Sequence, residues 1–277
     1  MDGSHKRKFF RVCGAIGSLI LIIIFSLPFL WMISMSFKTP LDCVKIPPVV
    51  LFKPVLTNYT DLFNRINFGN YMQNSIVVSL TATIVSMIIS LPAAYVFARI
   101  RKKYKNKIIL LVLSVRMAPA MSLVIPFFVL SNAVGILDTQ LALIITYLSF
   151  NIPLIFWMMQ GYFSQLPVEI EEAAYIDGCS SFGIFTRIAL PLTVSGLSAT
   201  AILCLIQSWN EFVYALFLTS IRSRTLPTTI MIFLGHEGIQ WGQMTAATTL
   251  ITLPVVFLAF LVKDYLVRGM AMGGIKE

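Results

Sequence analysis

Residues 169–192 read EIEEAAYIDGCSSFGIFTRIALPL. The stretch is a polar island between two long apolar runs. Glu169, Glu171 and Glu172 place three carboxylates within four residues, and Ala173 and Ala174 follow. Pro167 suits the first turn of a helix, where its missing N–H costs little. The carboxylates complement the positive end of that helix's dipole. Gly178 suits the left-handed conformation that ends a helix, and Ser180 or Ser181 can cap a second one. In the second helix Phe182, Phe185, Ile188 and Leu192 recur at helical spacing and form an apolar stripe. The spacing therefore predicts two short helices with a tight turn between them. A solvated loop with ordinary caps is the plain alternative.

Glu172-Ala173-Ala174, then Asp177-Gly178, then Phe182, Ile188, Pro191 and Leu192 resemble the EAA loop of membrane subunits of ATP-driven importers. Cys179 stands where that family usually has Ala, and both are small. The resemblance implies a coupling helix that enters a cleft on a cytoplasmic ATPase subunit. It assigns the coupling to Glu172, Ala173, Ala174, Asp177, Gly178, Phe182 and Pro191. The alanines would permit close approach of the partner, and the carboxylates would meet its basic or N–H groups.

Composition agrees with a membrane location. Hydrophobic residues make up 57% of the 277, charged residues 12%, and mean hydropathy is +0.84. A soluble domain carries about 25% charged residues. Two histidines and four dispersed cysteines, with no CxxC pair, indicate neither a metal site nor a disulfide framework.

Six apolar runs follow one another, at 13–35, 74–98, 108–130, 140–163, 192–219 and 244–266. Each is long enough to cross a hydrocarbon core of ~30 Å. The first follows the basic residues Lys6, Arg7, Lys8 and Arg11. It outruns the apolar core of about 7–15 residues in a cleaved signal peptide, so a first span is the preferred reading. Residues 36–73 form an irregular loop with a short helix around 59–63. Residues 164–191 form the coupling loop, and 220–243 a second long loop. The expectation is an all-α membrane protein of one transmembrane domain, 1–277, with six spans and, by the resemblance, the type I importer permease fold.

Of the 21 Lys and Arg residues, fourteen fall on the side that holds both termini and the coupling loop. Six fall on the other side, and Arg116 lies within a span. The positive-inside rule puts the termini and the loop in the cytoplasm. The net charge of +9 then faces anionic membrane lipid, with no need for nucleic acid.

Arg116 and Glu211 are formal charges at membrane depth, where charge is costly and usually faces protein or water. Along their spans they lie roughly 12 Å and 28 Å from the cytoplasm, which argues against a direct ion pair. Ser208-Trp209-Asn210-Glu211-Phe212, Arg116-Met117-Ala118-Pro119 and the tail at 265–276 resemble the carbohydrate branch of these permeases. Sugar hydroxyls need donors and acceptors, and sugar rings pack on aromatics. Gln207, Trp209, Asn210, Glu211 and Tyr214 offer both, as candidates for the substrate pathway. Helix packing and interfacial anchoring are the alternative role. In the 220–243 loop, Gly235, Gly238 and Gly242 are candidates for docking an extracytoplasmic sugar-binding protein.

The chain has no GxxxxGK[ST] loop. The resemblance implies that it is a transport subunit and not an enzyme, with ATP and Mg held by a dimeric ATPase subunit. It further implies a second homologous permease subunit and a bacterial inner-membrane location. The alternative function is an ion-coupled secondary transporter of a small polar solute, which would rely on Glu211. A membrane hydrolase lacks its motifs, HExxH and GxSxG.

Overall fold

The computed structural model describes residues 3–100, 105–235 and 238–273, and side chains for 14–100, 105, 107–235 and 238–263. The basic cluster at 6–11, residues 101–104 of the basic connector, His236 and the tail at 265–276 lie outside the residues or side chains so described.

Among the described residues, four helices are long and apolar enough to cross a membrane: Gly14–Ser36, Phe68–Arg99, Gln140–Ser164 and Trp241–Lys263. Two bent pairs, Lys107–Met117 with Ala120–Val134 and Ser181–Leu192 with Val194–Trp209, bring the number of spans to six if each pair counts as one. The chain divides into two compact units, Met1–Asn67 with Ile230–Leu250, and Phe68–Thr229 with Ile251–Glu277.

The first unit holds α1 (Gly3–Ser36), α2 (Pro40–Val44), α3 (Thr57–Arg65), a 3₁₀ segment at Leu226–Phe233 in part, and a two-stranded antiparallel hairpin. The hairpin pairs β1 (Leu234–Gly235) with β2 (Gly238–Ile239). The side chain of Asn58 donates to the carbonyls of Ser36 and Lys38, both at 2.8 Å, and so closes the end of α1. Tyr59 Oη bonds Ser36 Oγ at 2.7 Å. Lys38 is buried, with its ammonium 4.2 Å from the Trp31 ring centroid.

In the second unit α4 (Phe68–Arg99) and α7 (Gln140–Ser164) form the central pair, and α11 (Val194–Trp209) packs on both. Ser75, Ser79, Ala82, Thr83, Ser86, Ser90 and Ala94 run along the buried side of α4. Small residues let helix backbones approach closely where no hydrophobic effect drives them together. α4 begins six residues before the expected span. Its first turns carry polar residues that a hydropathy reading omits, and there Asn74 works as a brace. Its amide donates to the carbonyls of Arg222 and Arg224, and its carbonyl accepts from Gln140.

The third expected span is broken. α5 (Lys105–Met117) and α6 (Ala120–Val134) meet at 81°, because Pro119 ends one helix and starts the next. The fifth is broken as well, at residues 210–212, before α12 (Val213–Leu218). α13 (Trp241–Gly273) starts inside the stretch read as a loop.

Candidate functional site

The 169–192 stretch folds as two short helices joined by a tight turn. α8 (Val168–Ile176) begins directly after Pro167, with Glu169 and Glu171 in its first turn. Gly178 takes φ +84, and its N–H donates to the carbonyl of Tyr175 while that of Cys179 donates to Ala174. Ser180 Oγ accepts from the N–H of Gly183 at 3.1 Å and caps α9 (Ser181–Ile184). The chain continues through a π-helical turn at Phe185–Ala189 into α10 (Leu190–Leu192). It then bends by 80° at Thr193 into α11.

The two sides of this element differ in chemistry. Glu172, Ala173, Asp177, Gly178 and Pro191 are exposed, as are Tyr175 (68%), Ile176 (84%) and Phe182 (74%). Ala174 is buried against the chain's own helices, so its small size serves packing within the chain and not approach of a partner. Glu171 is also turned inward, to Arg99 and Tyr95, so the carboxylates do not form one partner-facing set. The expected apolar stripe is split. Phe185 is buried with Ala189 and Phe163, whereas Phe182 and Leu192 point outward. A π turn accommodates one extra residue and so shifts the register of the residues beyond it.

The pathway candidates separate into two groups. Gln207, Glu211 and Tyr214 line a cavity of about 260 Å³ together with Arg116, Ala118, Ala120 and Phe150. Arg116 Nη2 donates to Gln207 Oε1 at 2.9 Å. Among the described residues no ion pair joins Arg116 to Glu211. The Glu211 carboxylate accepts instead from the N–H groups of Tyr214 (2.9 Å) and Ala215 (3.1 Å) and from Tyr147 Oη (3.1 Å). It thereby caps α12, which explains the break in the fifth span. The rings of Tyr214 and Phe150 stack, with centroids 6.2 Å apart and planes 9° from parallel. Trp209 is not in the cavity. It is buried, and its Nε1 donates to the carbonyl of Ile251 at 3.1 Å. Asn210 is exposed and does not line the cavity either. Phe150 carried no sequence signal, because it is one apolar residue in an apolar run.

In the first unit, Gly235, Gly238 and Gly242 border a groove of about 580 Å³ with Pro40, Asn58 and Trp241. Gly235 and Gly238 are exposed on the hairpin. Gly242 is buried under Asn58, whose amide leaves no room for a side chain there.

Asp138 is a brace that no sequence pattern marked. Its carboxylate accepts from the N–H groups of Ser220, Arg222 and Ser223 and from Ser223 Oγ. Burial pushes its pKa up, but those hydrogen bonds outweigh burial and hold it below the usual value.

Comparison with known proteins gives a consistent answer. Residues 90–272, which include the 169–192 stretch and the cavity, match the family described as binding-protein-dependent transport system inner membrane component. The trehalose/maltose transport system permease protein MalG of Thermococcus litoralis is 38% identical over 270 residues, covering 96% of this chain and 97% of that protein. The inner membrane ABC transporter permease protein YcjP of Escherichia coli is 34% identical and covers 99% of both chains. Among solved structures, a bacterial ABC transporter involved in the import of alginate matches with a TM-score of 0.75 at 22% identity. The match covers 96% of this chain and 98% of that one and speaks for the fold. By fold, by relatives across its length and by the residues of its polar loop, this chain belongs to the binding-protein-dependent transport system inner membrane components, the permease subunits of ABC importers.

Proposed function

We propose that this chain is one of two homologous permease subunits of an ATP-driven importer of sugars or oligosaccharides. Both units act as one transmembrane domain in a bacterial inner membrane, with the termini and residues 164–191 in the cytoplasm. ATP and Mg belong to a separate dimeric ATPase subunit. A sugar-binding protein delivers substrate on the opposite side, against the hairpin that carries Gly235 and Gly238.

The observation that carries this reading is the open face of α8 and α9. Tyr175, Ile176 and Phe182 expose apolar surface next to Glu172 and Asp177 on an element whose other side is fastened to the membrane helices. Such a knob suits an apolar cleft rimmed by basic groups. The sugar reading is supported by the cavity. Arg116 and Gln207 supply hydrogen-bonding groups beside the stacked Phe150 and Tyr214 rings. One relative's system is also named for trehalose and maltose. The ion-coupled alternative has no comparable support, since the Glu211 carboxylate is taken up by capping α12.

Co-purification from membranes tests the docking. The native chain should bring down an ATPase subunit, and Glu172→Lys and Gly178→Arg should lose it or uncouple it. An absent ATPase with the native chain, or normal transport by both variants, would overturn the reading.

A further inference from the structure

Arg99 lies at the end of α4 and spends its guanidinium on two other helices. Nε donates to Glu171 Oε2 at 2.9 Å, and Nη2 donates to Glu171 Oε1, so the pair is bidentate. Nη1 donates to the carbonyl of Phe163 in the last turn of α7 at 2.9 Å. Tyr95 Oη adds a fourth hydrogen bond, to Glu171 Oε2 at 2.9 Å. The Tyr95 ring is wedged between Phe163 and Phe185, with centroids 5.5 Å and 5.2 Å away. The side chains of Arg99 and Glu171 are only 20% and 12% exposed.

Adjacent residues on a helix point about 100° apart, which turns Glu171 inward while Glu172 stays on the open face. The two carboxylates therefore have different partners. A bidentate Arg–carboxylate pair fixes both distance and orientation. A pair this shielded is little screened by salt. Buried ion pairs are poor sources of net stability compared with apolar packing, so what this one contributes is a defined geometry between three helices.

We propose that the Glu171–Arg99 pair, held by Tyr95 and the Phe163 carbonyl, is the strut that carries displacement of α8 into the ends of α4 and α7. It is distinct from the face that meets the ATPase. The inference rests on the docking reading above. Glu171, Arg99 and Tyr95 are positioning residues. They touch neither nucleotide nor substrate, and they convert motion of the docking element into motion of the spans that flank the cavity.

The test uses the assembled importer, purified with its ATPase. A single cysteine replaces Ala118 in the cavity, with Cys13, Cys43, Cys179 and Cys204 changed to Ser. A membrane-impermeant maleimide probes its reactivity without nucleotide and after trapping with ATP, Mg and vanadate. In the otherwise native chain the labelling rate should change by about tenfold on trapping, within the span of network-borne coupling energies. In Glu171→Gln the ATPase should remain bound in native amount, while the labelling change shrinks to about twofold or less. Arg99→Lys keeps the charge but loses the fork, and it should behave like Glu171→Gln. Tyr95→Phe removes one hydrogen bond and should fall between. Should Glu171→Gln fail to accumulate in the membrane, Arg99→Lys and Tyr95→Phe still decide. A native-sized response in Arg99→Lys or Glu171→Gln overturns the strut. Loss of the ATPase from a well-accumulated Glu171→Gln also overturns it, since Glu171 would then belong to the docking face. Lack of nucleotide response in the native importer overturns it too. Absence of the ATPase from the native chain instead sinks the docking reading beneath it.

Discussion

Gly196 faces the ring of Tyr162 so closely that a Cβ at 196 would lie 2.4 Å from Tyr162 Cγ. The contact sets how near α11 comes to α7, and Cγ is the rooted end of the side chain, which yields least. Gly196→Ala should lower stability by about 1–3 kcal/mol through overpacking. Gly161→Ala, one residue before Tyr162, meets open space and should be neutral or stabilise by up to about 1 kcal/mol. Thermal unfolding of the two variants in detergent, side by side, checks the pair.

Gly178 gives the opposite case, because nothing within 4 Å crowds its Cβ position. Its requirement is the backbone angle, φ +84. Gly178→Ala should cost about 1 kcal/mol, and Gly178→Asn less, because Asn tolerates the left-handed region. Binding of the ATPase subunit should weaken in the same order. Equal binding by Gly178→Ala and the native chain would show that the turn is not required for docking.

Glu211 and Arg116 border one cavity but should fail differently. Glu211→Ala removes the cap of α12 and leaves Tyr147 Oη unpaired, which should cost about 1–3 kcal/mol. Arg116→Ala loses one hydrogen bond at an exposed position, so stability should hold to within about 0.5 kcal/mol. Its effect should be on uptake. An unfolding midpoint and an uptake rate for each variant separate cap from pathway.

Asp138 predicts a pH dependence. Its folded pKa is lowered, so the stability it contributes is full above the unfolded value of about 3.9 and is lost as pH falls through the lower folded value. Proteolysis of the 219–225 segment should be flat from neutral pH to about 5 and rise below about 4. Asp138→Asn should be more readily cleaved at neutral pH and lose this acid-induced component.

Much of the 169–192 stretch was legible because its signals are local. Gly178 and Ser180 act on backbone groups within a few residues, so their roles can be read from spacing alone. The inward turn of Glu171 was not legible, because Arg99 is remote in sequence and only packing brings it near. Trp209 and Glu211 sit in one polar pentapeptide yet point to different places, since the helix ends between them. The bend at Ala118-Pro119 was visible as a proline but not as 81°, an angle that depends on what the two arms pack against. The apolar stripe split between exposed Phe182 and buried Phe185, and the π turn that shifts the residues beyond it leaves no mark in the hydrophobic pattern.

The 80° corner at Thr193 sets the kind of work the arm before it can do. Residues 181–192 run crosswise to the helix they lead into. A force at their far end directed across α11 therefore acts on it as a torque. The arm is about 18 Å long by helical rise, so a shift of about 3 Å at its tip turns the junction by about 10°. Such a force would rotate α11 and not slide it, and rotation carries Gln207 around the helix axis.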